Sequence, residues 1–184
     1  GKTTLLNILG GLDSPTEGRV FIESDEITAF SPSKLSEIRL RKFGFIFQAF
    51  NLIPVLTALE NVEFVMLLQG VSKKEREEQS IAILKEVGLG ELIHKRPNEM
   101  SGGQQQRVAV ARAIVSQPKI VLADEPTANL DSQTGKSLLE MMQELNEKRG
   151  VTFLFSTHDK MVMEHARRLV TLRDGRIVSD ESRR

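Results

Sequence analysis

Ser101-Gly102-Gly103-Gln104-Gln105-Gln106-Arg107 opens a helix that carries two glycines in its first turn. Ser101 is an N-cap residue type, and Gln104 stands three positions on, the spacing of a capping box. Val108, Val110, Ile114 and Val115 continue the helix, and Pro118 stops it. A well-capped packing helix is one reading of this stretch. It leaves the glycines unexplained, because each costs about 1 kcal/mol in a helix relative to alanine. Two glycines at a helix start bare the backbone N–H groups at its positive end, where a phosphate can approach closely. On that reading the helix faces a phosphate.

The surroundings alternate strands with helices. Ile120-Val121-Leu122-Ala123 is a continuous apolar run, as in a strand covered on both faces. Residues 43–47 are a further apolar run of strand length, and residues 151–155 are expected to form a second buried strand. A helix is predicted over 134–149, with Leu138, Met142 and Leu145 on one face and Gly150 beyond its end. The first nine residues read as a helix ending near Gly10-Gly11, residues 13–18 as a turn, 19–22 as a short strand and 35–41 as a helix. Residues 50–90 read as mostly helical, with amphipathic stretches over 58–69 and 74–87. Asp174-Gly175 between two short apolar runs is a hairpin signal. The expected fold is one α/β domain over 1–184 with a mostly parallel sheet and right-handed crossovers. Residues 1–48 and 118–184 form its core, and 49–117 an inserted α-helical subdomain.

A chain of 184 residues, 40% hydrophobic and 27% charged, is an ordinary globular composition with room for a sizeable core. Lys plus Arg and Asp plus Glu both number 25. The zero net charge gives no global reason to expect nucleic acid as a partner. The absence of cysteine excludes disulfides and thiolate metal sites. No apolar run spans a bilayer, and no secretory signal pattern is read at the start.

Four places carry candidate chemistry. Gly1-Lys2-Thr3 matches the end of G-x-x-x-x-G-K-[ST], in which the lysine meets terminal phosphates and the threonine hydroxyl holds Mg²⁺. Asp124-Glu125 ends an apolar strand, where ligands bind in α/β sheets. There Asp124 would hold Mg²⁺ and Glu125 would act as general base toward water. His158 follows the 151–155 strand and is placed to touch a γ-phosphate. Gln48 ends the 43–47 strand and can reach the same metal and water. Singly, each has a plain alternative: a lysine near a chain end, capping acids before Pro126, a structural histidine. The convergence of three strand ends on one phosphate is the functional argument. His94 and His165 are read as surface residues, and the methionines as core filler. Asn146-Glu147-Lys148-Arg149 is not a guanine-reading Asn-Lys-x-Asp.

Taken together, these residues resemble the ATP-binding subunit of an ABC transporter, over essentially the whole chain. The resemblance implies a P-loop NTPase (RecA-like) core in the ABC ATPase fold, with ATP and Mg²⁺ as cofactors. By resemblance, Gly1, Lys2, Thr3 and Thr4 end the Walker A loop, and Gln48 is the Q-loop glutamine, a ligand of Mg²⁺ and an orienter of water. Ser101, Gly102, Gly103 and Gln104 are the signature, with Met100 where the family usually has leucine. Asp124 is the Walker B aspartate, Glu125 the catalytic glutamate and His158 the switch histidine. Residues 128–131 are the D-loop, with Asp131 at the nucleotide interface. The resemblance further implies a head-to-tail pair of such subunits, an integral-membrane permease as partner, and a place on the cytoplasmic face of the membrane.

Phe47-Gln48-Ala49-Phe50-Asn51-Leu52-Ile53-Pro54 and residues 124–131 are similar to the lipoprotein-releasing and macrolide-export type, a group that also holds a cell-division subunit. Phe50, Leu52, Ile53 and Pro54 either line the permease docking groove or belong to the core. DNA-repair and ribosome-associated ATPases of the superfamily are the alternative. A long coiled coil, or two cassettes in one chain, would mark those. The family's upstream strand, its first Walker A glycines and its adenine-stacking aromatic have no counterpart in the sequence. Poor ATP binding, low stability and an exposed sheet edge are therefore expected of these 184 residues alone.

Overall fold

The computed structural model describes residues 1–183. Its centre is a parallel sheet of β3 (Phe43–Ile46), β4 (Ile120–Asp124) and β5 (Phe153–Ser156), with β4 in the middle. The chain reaches it through α1 (Lys2–Leu9), a hairpin of β1 (Phe21–Ile22) and β2 (Asp25–Glu26), and α2 (Pro32–Lys42). Between β3 and β4 lie α3 (Ala58–Leu68), α4 (Lys73–Glu86) and α5 (Gly102–Ile114). After β4 come α6 (Ser132–Arg149), β5 and α7 (Lys160–His165). The antiparallel pair β6 (Arg168–Arg173) and β7 (Arg176–Ser182) follows.

Alternation along β4 divides the core. Val121 and Ala123 join a cluster with Val110 of α5, Leu138 and Leu145 of α6, and Val62 and Met66 of α3. Leu122 points to the other face, against Leu6 of α1, Ile38 of α2 and Phe43. Both faces are covered, which is why the run 120–123 contains no polar residue. Gly44 of β3 has a packing reason, since a β-carbon there would collide with the Ala113 carbonyl of α5.

Ile46, Ala123 and Phe155 stand in register, as do Asp124 and Ser156. The residues that follow each strand therefore leave the sheet at one end: Gln48 from β3, Glu125 from β4, His158 from β5.

Three expectations change. Residues 50–57 are not helical; α3 begins only at Ala58, capped by Thr57, whose hydroxyl accepts from Glu60 N. Buried Asn61 fixes the preceding loop, accepting from Ile53 N (2.8 Å) and donating to the carbonyls of Ile53, Leu56 and Thr57. The strand expected over 19–22 is two residues long and pairs with Asp25–Glu26. The helix α7 was not expected; Asp159 caps it by accepting from Met161 N at 2.9 Å.

Candidate functional site

The first turn of α1 and the end of β4 meet. Thr3 Oγ1 donates to Asp124 Oδ1 at 3.3 Å, joining residues 121 positions apart in sequence. Gly1 is the N-cap of α1, and Lys2, Thr3 and Thr4 are exposed beside it. A hydroxyl and a carboxylate oxygen at this separation are hard donors that suit Mg²⁺. That ion takes one or two protein oxygens and completes its octahedron with water and phosphate. No cluster of three or more His, Cys, Asp or Glu among the described residues offers a fuller metal cage.

Glu125 turns the chain out of β4 with φ +45°, a left-handed conformation that a non-glycine residue adopts at a cost. Its amide donates to the Ser156 carbonyl at 2.8 Å, tying the ends of β4 and β5 together. The carboxylate is held at both oxygens. Thr157 Oγ1 donates to Oε2 at 3.0 Å, and His158 Nδ1 lies 2.6 Å from Oε1. The carboxylate is largely buried while the imidazole is exposed. The Thr157 oxygen also accepts from Asp159 N, and buried Thr127 donates to Asp159 Oδ2 at 3.1 Å. Thr157 is a member of this cluster that the sequence reading passed over; its place after the β5 run was the available signal.

Gln48 is exposed at its strand end, and its carbonyl accepts from Asn129 Nδ2 at 2.9 Å. Its side chain makes no hydrogen bond among the described residues. Fully buried Gln106 donates to the Pro126 carbonyl at 2.7 Å and to the Phe47 carbonyl at 3.5 Å, so α5 braces the ends of both β3 and β4. The sequence reading passed over Gln106; its spacing of four from Val110 was the available signal.

The start of α5 forms the expected capping box: Ser101 Oγ accepts from Gln104 N, and Gln104 Oε1 accepts from Ser101 N at 2.9 Å. The two glycines divide in their reasons. A β-carbon on Gly103 would collide with the Thr134 methyl of α6, so packing asks for glycine there. A β-carbon on Gly102 would meet Phe50 only at 3.6 Å, an ordinary contact, so packing does not. Ser101, Gly103 and Gln104 line a shallow hollow with Gln133, Thr134 and Ser137 of α6. Asp131 caps α6, accepting from Gln133 N, Thr134 N and Thr134 Oγ1. The Thr134 hydroxyl and these amides hold its carboxyl below the ordinary value. Among the described residues, no hydrogen bond or ion pair joins residues 101–104 to Thr3, Asp124, Glu125 or His158.

The sequence pattern of the ABC transporter family matches residues 1–128, the span from Lys2 through the Gly-Gly turn to Asp124-Glu125. The chain belongs to the ABC transporter family. An ABC transporter ATP-binding protein of Thermotoga maritima is 50% identical over 183 residues, covering 100% of this chain and 78% of the relative. The macrolide export ATP-binding/permease protein MacB of Hyphomonas neptunium is 46% identical over 180 residues. That match covers 98% of this chain and 28% of the much longer relative. Among solved structures, the ABC cassette MJ0796 of Methanocaldococcus jannaschii, described as dimeric and bound to ADP and Pi after hydrolysis, superposes with a TM-score of 0.89. It is 44% identical, with 100% of this chain and 81% of that chain covered. This chain has the fold of those ABC ATPase cassettes, a P-loop NTPase core with helices carried between β3 and β4.

Proposed function

We propose that this chain is the ATP-binding and ATP-hydrolysing subunit of an ABC transporter, acting as a head-to-tail pair that drives a membrane permease from the cytoplasmic face. One observation carries the reading. Thr3, Asp124, Glu125 and His158 gather at one end of the sheet, while the bare start of α5 has no bond to that cluster. A phosphate site completed by a second copy accounts for both halves. The relatives support it: MJ0796 is described as dimeric with ADP and Pi, and the MacB name joins ATP-binding and permease functions.

Gly1, Lys2, Thr3 and Thr4 hold the ATP phosphates, with the lysine charge on the terminal ones. Thr3, Asp124 and Gln48 hold Mg²⁺, which supplies charge neutralisation when bound. Glu125 accepts the proton of the attacking water, with Gln48 helping to orient that water and His158 beside the γ-phosphate. Ser101, Gly102, Gly103, Gln104 and Asp131 of one copy face the nucleotide of the other. Breaking the bond to the γ-phosphate gives ADP and phosphate, removes the bridge and lets the pair open.

The helical segment 49–117 carries that movement to the permease. Leu52 is half-buried against the core, whereas Pro54 is exposed and Val55 is 73% exposed. The tip of this loop is the part we assign to permease contact, in a transporter of the lipoprotein-releasing or macrolide-export type. In the full-length subunit, Glu125→Gln is expected to abolish ATP hydrolysis and retain ATP binding. Turnover near wild type would refute the role of Glu125.

A further inference from the structure

Arg112 of α5 is a largely buried cation that pairs with no carboxylate among the described residues. Its guanidinium donates instead to two consecutive carbonyls, Asn51 at 2.6 Å and Phe50 at 2.9 Å. Burial pulls the guanidinium below its ordinary value, a sign of the cost of placing it there. The two residues that it grips are both left-handed, Phe50 with φ +60° and Asn51 with φ +51°. Neither is glycine, and such backbone persists only where its surroundings enforce it.

This strained pair begins two residues after Gln48. The segment 47–51 is held at four carbonyls: Phe47 by Gln106, Gln48 by Asn129, and Phe50 and Asn51 by Arg112. Gln106 and Arg112 both belong to α5, the helix whose first turn is the signature. The Phe50 ring lies beside that turn, 3.6 Å from where a Gly102 β-carbon would stand.

We propose that Arg112 is a positioning residue that latches the Gln48 loop to the signature helix by holding Phe50 and Asn51 in their left-handed conformation. The latch places Gln48 for catalysis and makes its loop move with α5. Arg112 touches no nucleotide itself. This inference rests on the ATPase reading above.

The test uses the full-length subunit. Folded Arg112→Met is expected to lose about tenfold in kcat at saturating Mg-ATP, with KM for ATP within about twofold, because the reacting groups are misplaced rather than the nucleotide lost. Adding Asn51→Gly, which makes the left-handed turn intrinsically easy, is expected to recover several-fold of that loss. Relief of this kind would not follow from a general loss of stability. If Arg112→Met does not fold, Arg112→Lys, which keeps the charge but not the planar fork, is compared with its own Asn51→Gly double variant. A kcat within about twofold of wild type, or a loss that Asn51→Gly leaves untouched, overturns the latch. Glu125→Gln is measured in parallel: continued turnover there would refute the ATPase reading rather than the latch.

Discussion

Thr157 Oγ1 donates to Glu125 Oε2 at 3.0 Å, on the side of the carboxylate away from His158. The hydroxyl fixes the rotation of the carboxylate and leaves Oε1 to the exposed imidazole. A general base works only when its oxygen is aimed at the water. Thr157→Val keeps the shape of the side chain and removes the donor. The expected result is a loss of about five- to tenfold in kcat, as for one hydrogen bond of about 1 kcal/mol, with ATP binding unchanged. Thr157→Ser is expected to stay near wild type. Steady-state turnover of the two variants side by side decides the matter.

Gly102 and Gly103 are adjacent but are expected to fail differently. Alanine at Gly103 meets the Thr134 methyl, so any gain in helix propensity, up to about 1 kcal/mol, is offset by the clash between α5 and α6. Alanine at Gly102 meets nothing closer than 3.6 Å and is expected to leave the melting temperature equal or higher. It should still depress ATP turnover, because its methyl would cover the amides that we assign to the partner's phosphate. Thermal melts and turnover of both variants separate packing from function. Full activity in Gly102→Ala would remove the phosphate-facing role from that position.

Glu86 at the end of α4 accepts from Arg149 Nε at 2.9 and 3.1 Å, joining the helical segment to the last turn of α6. The Arg149 hydrogen bonds, and then its charge, hold the Glu86 carboxyl below its ordinary value. An acid with a lowered folded value stabilises the fold above its unfolded value of about 4.3 and loses that contribution as pH falls through the folded value. Both side chains are about one-third exposed, so the contribution is about 1 kcal/mol or less. Glu86→Gln is therefore expected to be slightly less stable than wild type at pH 7 and equal to it near pH 3. A stability difference that stays constant over that range would contradict the pair.

β4 was legible because an apolar run without alternation means burial on both faces, and Val121, Leu122 and Ala123 are buried. β5 was expected to be buried in the same way, but it lies at the edge of the three-stranded sheet with Leu154 exposed and only Ser156 buried. The Asp174-Gly175 turn was legible because both residues must be left-handed, and they are, at φ +50° and +75°. Residues 50–57 misled because Phe50, Leu52 and Ile53 are apolar at helix-like spacing. What fixes them is a polar side chain eleven residues beyond Phe50, Asn61, whose four backbone bonds no periodicity announces. The candidate site followed the same division. Residues at strand ends, Gln48, Asp124, Glu125 and His158, could be found from the strands alone. Thr157, Gln106 and Arg112 act on atoms 20 to 62 positions away, and only the folded chain brings those partners together. The packing reason for Gly103 was hidden in the same way, since it lies in Thr134 of another helix.

The most direct test is the mass of the full-length subunit carrying Glu125→Gln, read by sedimentation velocity with saturating Mg-ATP and again without nucleotide. The account predicts a dimer with Mg-ATP and a monomer without it, since the α5 start of each copy is needed to close the other's phosphate site. A particle that remains monomeric with Mg-ATP bound would contradict it.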